Sequence, residues 1–142
     1  MKKRILTLFA LACTVFLLCS CNVEGNPLPD GMDETTVLTA GREIVTDLNA
    51  GAWQGIYDQL REDAKTATGS PAAIEEHMQT VLNKVGPYVS EEEAMATGQK
   101  LKESGEQYAT AVFYCKHEKN QAMYRIAFST DMELIGLQVT KK

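Results

Sequence analysis

Three stretches decide the fold of this chain: EQYATAVFYCKH at residues 106–117, QAMYRIAFS at 121–129 and ELIGLQVT at 133–140. Each alternates between two sets of side chains, which is the period typical of a half-buried β-strand. In the first stretch the two sets are Ala109, Ala111, Phe113 and Cys115, and Tyr108, Thr110, Val112 and Tyr114. Because only three residues separate consecutive stretches, the pattern predicts an antiparallel meander.

A weaker strand pattern precedes the meander at residues 93–101. It starts at the end of an acidic run, Glu91 to Glu93. Like charges on an exposed strand discourage pairing with a second chain. We therefore expect this run to lie at a solvated edge of the sheet.

Apolar residues at helical spacing occupy the region before the strands. They predict a first helix that begins within residues 33–36, a shorter helix after Gly51, and a third with the clearest ends. For the third helix, Ser70 is a good N-cap, Pro71 suits the first turn and Gly86 ends it.

The first 20 residues resemble a lipoprotein signal peptide. A basic stretch at residues 2–4 precedes an uncharged run at 5–18, which is shorter than the roughly 20 apolar residues that a bilayer span needs. Residues 18–21, LCSC, resemble the bacterial lipobox, with Cys21 as the lipid acceptor. An ordinary secretory signal is the alternative. Two acyl chains on one cysteine anchor a protein stably, so we expect the mature protein on the extracytoplasmic face of the cell membrane.

The chain after the signal peptide divides into two parts. Residues 21–35 are rich in glycine, proline and acids and are predicted to form a flexible tether. Residues 36–142 are predicted to form a single α+β domain, because helical patterns come first and strand patterns follow. We expect about three N-terminal helices packed on one face of a four-stranded antiparallel sheet.

The composition of the mature chain limits its partners. Loss of residues 1–20 removes three basic residues and changes the net charge from −5 to −8. An acidic protein is repelled by nucleic acid and by anionic lipid head groups, so we expect no nucleic-acid binding. Only Cys21 and Cys115 remain. If Cys21 is lipidated, Cys115 has no partner, and we expect a small buried residue rather than a nucleophile.

The chain also resembles a known family. The segments VGPY at residues 85–88, TGQK at 97–100 and FSTDMELIGL at 128–137 look like the small uncharacterised domain of many Firmicutes lipoproteins and exported proteins. The resemblance covers roughly residues 36–141. It implies a fold similar to the nuclear transport factor two-like, or cystatin-like, superfamily, with a curved sheet partly wrapped around helices and a conical pocket in many members. It implies no particular activity.

Few residues are candidates for acid–base chemistry. The two histidines are His77, beside the apolar stripe of the third predicted helix, and His117, beside a hairpin turn where we expect it to be solvated. Neither has cysteines or carboxylates at the spacing of zinc ligands, so we expect no metal site and no cofactor. The alternative to a binding role is a small pocket enzyme, an isomerase or hydrolase, that uses His77 with a carboxylate such as Asp58 or Glu62.

Aromatic residues are the candidate pocket or contact residues: Trp53, Tyr57, Tyr108, Tyr114 and Tyr124. Core packing with hydroxyl groups at the rim is the simpler interpretation for most of them. Our leading hypothesis is a non-catalytic, lipid-anchored module that binds an envelope protein, a wall component or a small ligand. A homodimer, with sheet face against sheet face, is a further alternative.

Overall fold

The computed structural model describes residues 25–142, so the predicted signal peptide and Cys21 lie outside the described residues. Within this range four helices come first: α1 (Glu34–Ala50), α2 (Trp53–Gln59), α3 (Glu62–Thr68) and α4 (Pro71–Val85). Four strands follow: β1 (Tyr88–Lys100), β2 (Gln107–His117), β3 (Gln121–Ser129) and β4 (Leu134–Lys141). The predicted α+β architecture, with helices followed by a curved antiparallel sheet, is confirmed.

The strands pair in the order β1-β2-β3-β4, and every pair is antiparallel. We call the sheet face that carries Phe113 and Tyr124 the inner face, because their side chains belong to the core shared with the helices. The opposite, outer face carries a row of residues across all four strands: Met95, Val112, Arg125 and Gln138. The predicted two-sided alternation of β2 is confirmed by this register.

Helix α1 packs closely on the inner face. Val37, Ile44 and Leu48 are each no more than 1% exposed. At Gly41 the helix backbone lies so close to the sheet that an added Cβ would be 2.8 Å from Ala111 Cβ and 2.7 Å from the Phe113 ring. No ordinary contact is that short, so a glycine at this position allows the close approach.

Two elements differ from the sequence predictions. Strand β1 begins at Tyr88, five residues before the predicted start at residue 93. Its pairing with β2 shifts register twice, between Tyr88 and Ser90 and between Glu91 and Glu93. These bulges interrupt the alternation of side chains, so the sequence pattern did not show where the strand starts.

The predicted acidic edge is confirmed, since β1 is an edge strand with all three glutamates exposed.

The second predicted helix is divided in two, as α2 and α3. Leu60 between them is extended, with φ −64° and ψ 140°, and bridges to Leu134 at the start of β4. The Arg61 backbone N–H donates to the Leu134 carbonyl at 2.9 Å. In a continuous helix the Arg61 N–H would donate to a carbonyl one turn earlier. Here it donates to β4 instead, so α2 ends before α3 begins.

The described part of the predicted tether contacts the sheet. Asn26 N–H donates to Thr97 Oγ1, and Gly98 N–H donates to the Asn26 carbonyl, both at 3.1 Å. A Cβ on Gly98 would lie 1.9 Å from the Pro27 carbonyl oxygen, so the segment rests directly on β1. Leu28 also packs against the core. Residues 26–28, which the sequence assigned to a flexible tether, thus pack on the domain, and the sequence pattern missed this because a few isolated apolar residues give no periodic signal.

Candidate functional site

The sheet separates the five aromatic residues that the sequence singled out. Trp53 and Tyr57 lie on α2 and, with the fully buried Tyr124, contact the inner-face core. Tyr108 and Tyr114 point to the outer face of β2. Since the two groups are on opposite sides of the sheet, they do not line one pocket.

The residues of the pocket-enzyme alternative are all exposed. His77 is on the exposed side of α4. Asp58 Oδ1 accepts a hydrogen bond from Gln54 Nε2 at 2.8 Å, and Glu62 pairs with Lys65 at 3.0 Å. Both carboxylates therefore bond to neighbours in their own helices. Within residues 25–142, no hydrogen bond or ion pair joins His77 to either of them.

His117 forms the centre of a buried polar cluster, so the expectation that it is solvated is wrong. Its side chain is 2% exposed. Nδ1 lies 2.7 Å from the Gly86 carbonyl oxygen, and Nε2 lies 2.8 Å from Tyr124 Oη. Because a carbonyl only accepts, Nδ1 carries the proton and donates it. Nε2 is within hydrogen-bond distance of the Tyr124 hydroxyl, so both ring nitrogens have a partner.

The cluster reaches the surface through Asn49. Asn49 Nδ2 donates to Tyr124 Oη at 3.0 Å and to the Val45 carbonyl at 2.9 Å. Burial raises the pKa of Tyr124, so its phenol stays protonated at neutral pH. His117, Tyr124 and Asn49 therefore form one connected network of hydrogen-bonded side chains.

Cys115 lies in the same region, and its thiol stays protonated. The predicted small buried cysteine is confirmed, with 1% exposure. Burial raises the pKa of its thiol to about 11. Since the thiolate is the reactive form, this thiol is a weak nucleophile at neutral pH.

The backbone before β1 positions His117. Helix α4 ends at Val85, and Gly86 follows with φ 80°, a conformation that favours glycine. This turn aims the Gly86 carbonyl at His117. The turn between β2 and β3 is bonded to residues 85–87 as well. Glu118 N–H donates to the Pro87 carbonyl and Lys119 N–H donates to the Val85 carbonyl, both at 2.9 Å.

Next to this cluster is a region that we call the Tyr88 surface, defined by Tyr88, Arg42 and Glu91 together with Val89, the residue after Tyr88 in β1. Among residues 25–142, Tyr88 at 40% and Val89 at 49% are the exposed large apolar side chains. The Tyr88 ring meets the His117 ring edge-on, with centroids 5.5 Å apart and planes at 87°. The exposed Tyr88 ring thus packs against the buried His117 ring.

An ion pair flanks the aromatic ring. Arg42 Nε and a terminal guanidinium nitrogen donate to the two oxygens of Glu91 at 2.9 and 3.0 Å. This two-bond geometry holds both side chains in one orientation. The Glu91 carboxylate raises the pKa of Arg42, chiefly through that hydrogen bond. The Tyr88 surface therefore combines apolar area with fixed charges of both signs.

A cleft lies at the opposite end of β1 from Tyr88. It has a volume of about 380 Å³ and lies between residues 26–30 and residues 98–100, with Gln107 at its border. Its charged side chains are Asp30 and Lys100. Within the part of the chain that the structure describes, no group of three or more His, Cys, Asp or Glu residues could hold a metal ion.

Comparison with known protein families matches residues 41–137 to a family described as "Protein of unknown function (DUF3887)". The match covers more than half of the chain, from α1 to β4. The chain belongs to the DUF3887 family. The expectation of a domain of unknown function is confirmed by this match.

The fold of this DUF3887 domain is similar to a solved structure described as the "NMR structure of protein from Ruminococcus gnavus ATCC 29149". The two chains are 19% identical, with a TM-score of 0.65, over 80% of this chain and 96% of the other. At this sequence identity the similarity shows the fold alone.

No curated protein matches the chain. In the described range, none of the helices has the length and apolar composition required to cross a membrane.

Proposed function

We propose that this DUF3887 domain is a lipid-anchored, extracytoplasmic binding module of the nuclear transport factor two-like or cystatin-like class. It binds a protein of the cell envelope through the Tyr88 surface and catalyses no reaction. The observation that supports the binding role most directly is the exposure of Tyr88 and Val89, two consecutive residues of the edge strand β1.

The lipid anchor is supported by the sequence. The LCSC segment at residues 18–21 follows a basic stretch and an apolar run, which is the order of parts in a lipoprotein signal. The mature chain would then start at Cys21, which carries the lipid. Cys115, buried on the inner face, is not in a position to form an accessible disulfide.

A protein partner fits the Tyr88 surface better than a small ligand does. Beneath Tyr88 the inner face is filled by His117 and Cys115, which are 2% and 1% exposed. A small ligand normally needs a concave site, whereas a protein can cover an exposed aromatic residue flanked by charges. Tyrosine and arginine are also the residues most enriched at the energetic centres of protein interfaces.

The non-catalytic part of the proposal is supported by the state of the buried groups. Both nitrogens of His117 are bonded, and the raised pKa of Cys115 keeps its thiol protonated. A general base needs a free lone pair within reach of a substrate. Neither residue meets that requirement in this arrangement.

Site-specific crosslinking in intact cells tests the binding role. A photoreactive amino acid at Val89 is expected to give a discrete adduct, and the same amino acid at Lys102 serves as control. Lys102 is exposed in the β1–β2 hairpin loop, far from the Tyr88 surface. The Val89 adduct should disappear when Tyr88→Ala is added, while thermal unfolding of that variant shows that the domain still folds.

Two results would count against the proposal. Equal adducts at residues 89 and 102 would show that the Tyr88 surface is not specific, and an adduct insensitive to Tyr88→Ala would move the contact elsewhere. The anchor has its own test, because Cys21→Ser should release the protein from the membrane fraction. If the variant remains membrane-bound and is processed normally, the lipid anchor is refuted.

A further inference from the structure

The cleft at the far end of β1 is a concave site that is separate from the Tyr88 surface. Its volume of about 380 Å³ falls within the roughly 300–1,000 Å³ that is usual for small-molecule sites, near the lower limit. One wall is the segment 26–30, and the other is the end of β1 with Gln107 at the start of β2. A site of this size takes a small molecule and is too small for a protein domain.

The wall formed by residues 26–30 has a fixed shape. Asn26 is held on β1 by two hydrogen bonds of 3.1 Å, and Leu28 packs against the core. The rings of Pro27 and Pro29 restrict their own φ angles. The Met32 N–H donates to the Pro29 carbonyl at 3.1 Å and closes a turn directly after this wall. A ligand therefore meets a preformed wall and does not have to order it, which favours binding.

The other wall presents backbone groups as well as side chains. Along one side of an antiparallel strand, only alternate residues bond to the neighbouring strand, and the residues between them point their N–H and C=O groups the other way. The Gly98 N–H points away from β2, since it donates to the Asn26 carbonyl at 3.1 Å. The register of β1 with β2 is unshifted over residues 93–100, so Lys100 has the same orientation as Gly98. Its N–H and C=O therefore point to the side of the cleft, where a peptide backbone can pair with them.

The two walls carry opposite charges. Asp30 is on the first wall and Lys100 on the second, and both residues are exposed. Among residues 25–142 neither of them forms an ion pair. Each can therefore pair with a charge on a ligand without breaking an ion pair within the domain. A cation and an anion in one concave site are complementary to a molecule that also carries both charges.

We propose that this cleft binds a short peptide with free amino and carboxyl ends. The peptide ammonium group pairs with Asp30, its carboxylate pairs with the Lys100 ammonium group, and its peptide group bonds to the outward backbone of Lys100. Because both charged residues are exposed, each pairing changes the affinity by only about two- to fivefold, and the complex is a weak one. This site goes beyond the proposed function and does not depend on the Tyr88 surface or on the lipid anchor.

Titration of the full-length, ¹⁵N-labelled protein in detergent micelles with dialanine tests the proposal. The amide signals of Gly98 and Lys100 should shift and saturate, whereas that of Tyr88, at the other end of β1, should stay in place. Asp30→Asn and Lys100→Gln should each weaken the binding by about two- to fivefold. Lys102→Gln is the matched control and should leave it unchanged, since Lys102 is exposed in the loop after β1 and does not line the cleft.

A blocked peptide separates recognition of the two ends from contact with the backbone. N-acetyl-dialanine amide keeps the peptide backbone and lacks both end charges, so it should bind at least about fourfold more weakly than dialanine. Equal affinity for the two peptides, or equal losses in Lys100→Gln and Lys102→Gln, would overturn the proposal. So would the absence of saturating shifts at Gly98 and Lys100 up to the solubility limit of dialanine. Each of these outcomes leaves the Tyr88 surface intact, because crosslinking at residue 89 tests it separately.

Discussion

The contact between α1 and the sheet predicts opposite effects for one substitution at two helical glycines. In a helix interior, Gly→Ala should stabilise by about 1 kcal/mol through helix propensity. At Gly55 in α2, nothing lies within 4 Å of the added Cβ, so Gly55→Ala should show this gain. At Gly41 the added Cβ would be 2.7–2.9 Å from Phe113 and Ala111, and overpacking a core costs about 1–3 kcal/mol.

The difference between the two variants isolates the packing cost, because the propensity contribution is common to both. Gly41→Ala should be less stable than Gly55→Ala by about 1–3 kcal/mol. Urea unfolding measures this as a difference in midpoint on the order of 1 M, for an m-value of about 1–3 kcal/mol/M. If Gly41→Ala is as stabilising as Gly55→Ala at unchanged m-value, the described approach of α1 to β2 is refuted.

Three further predictions concern the buried cluster and the surface. Tyr124→Phe removes the hydroxyl that bonds to His117 Nε2 and should destabilise by about 1–3 kcal/mol, whereas an unchanged melting temperature would contradict the hydrogen bond. Cys115, 1% exposed and with its pKa at about 11, should react with a thiol reagent only after denaturation, and fast reaction of the native protein would show that it is accessible. Arg61 lowers the pKa of Asp63, so this carboxylate stabilises the fold above its unfolded pKa of about 3.9 and loses that contribution as pH falls. The stability difference between wild type and Asp63→Asn should therefore shrink on acidification, as urea unfolding at several pH values can measure.

Local sequence patterns predicted the regular elements well. Strand β3 has the predicted bounds, residues 121–129, because its alternation is unbroken. The N-cap of α4 is also confirmed, since Ser70 Oγ accepts from Ala73 N–H at 3.2 Å. Both features depend on residues that are close in sequence, so a local sequence pattern can predict them.

The candidate site depended on distant neighbours and was largely missed. His117 is adjacent to a turn, which suggested a solvated side chain, but its hydrogen bond to Gly86 spans 31 residues. One signal was available: in the alternation of β2, His117 falls on the same side as Phe113 and Cys115, the inner face. The exposure of Tyr88 had no such signal, because the bulges of β1 break the pattern there.

The order of the strands has a consequence for how the chain folds while it is being synthesised. Each strand pairs with its neighbour in sequence, so the hairpins can close one after another without waiting for a distant segment. Helix α1 is different, because it emerges early and its packing partners Ala111 and Phe113 emerge about 70 residues later. Until β2 has been synthesised, the apolar stripe of α1 has no core to pack into, and during this interval the nascent protein is most accessible to chaperones and proteases.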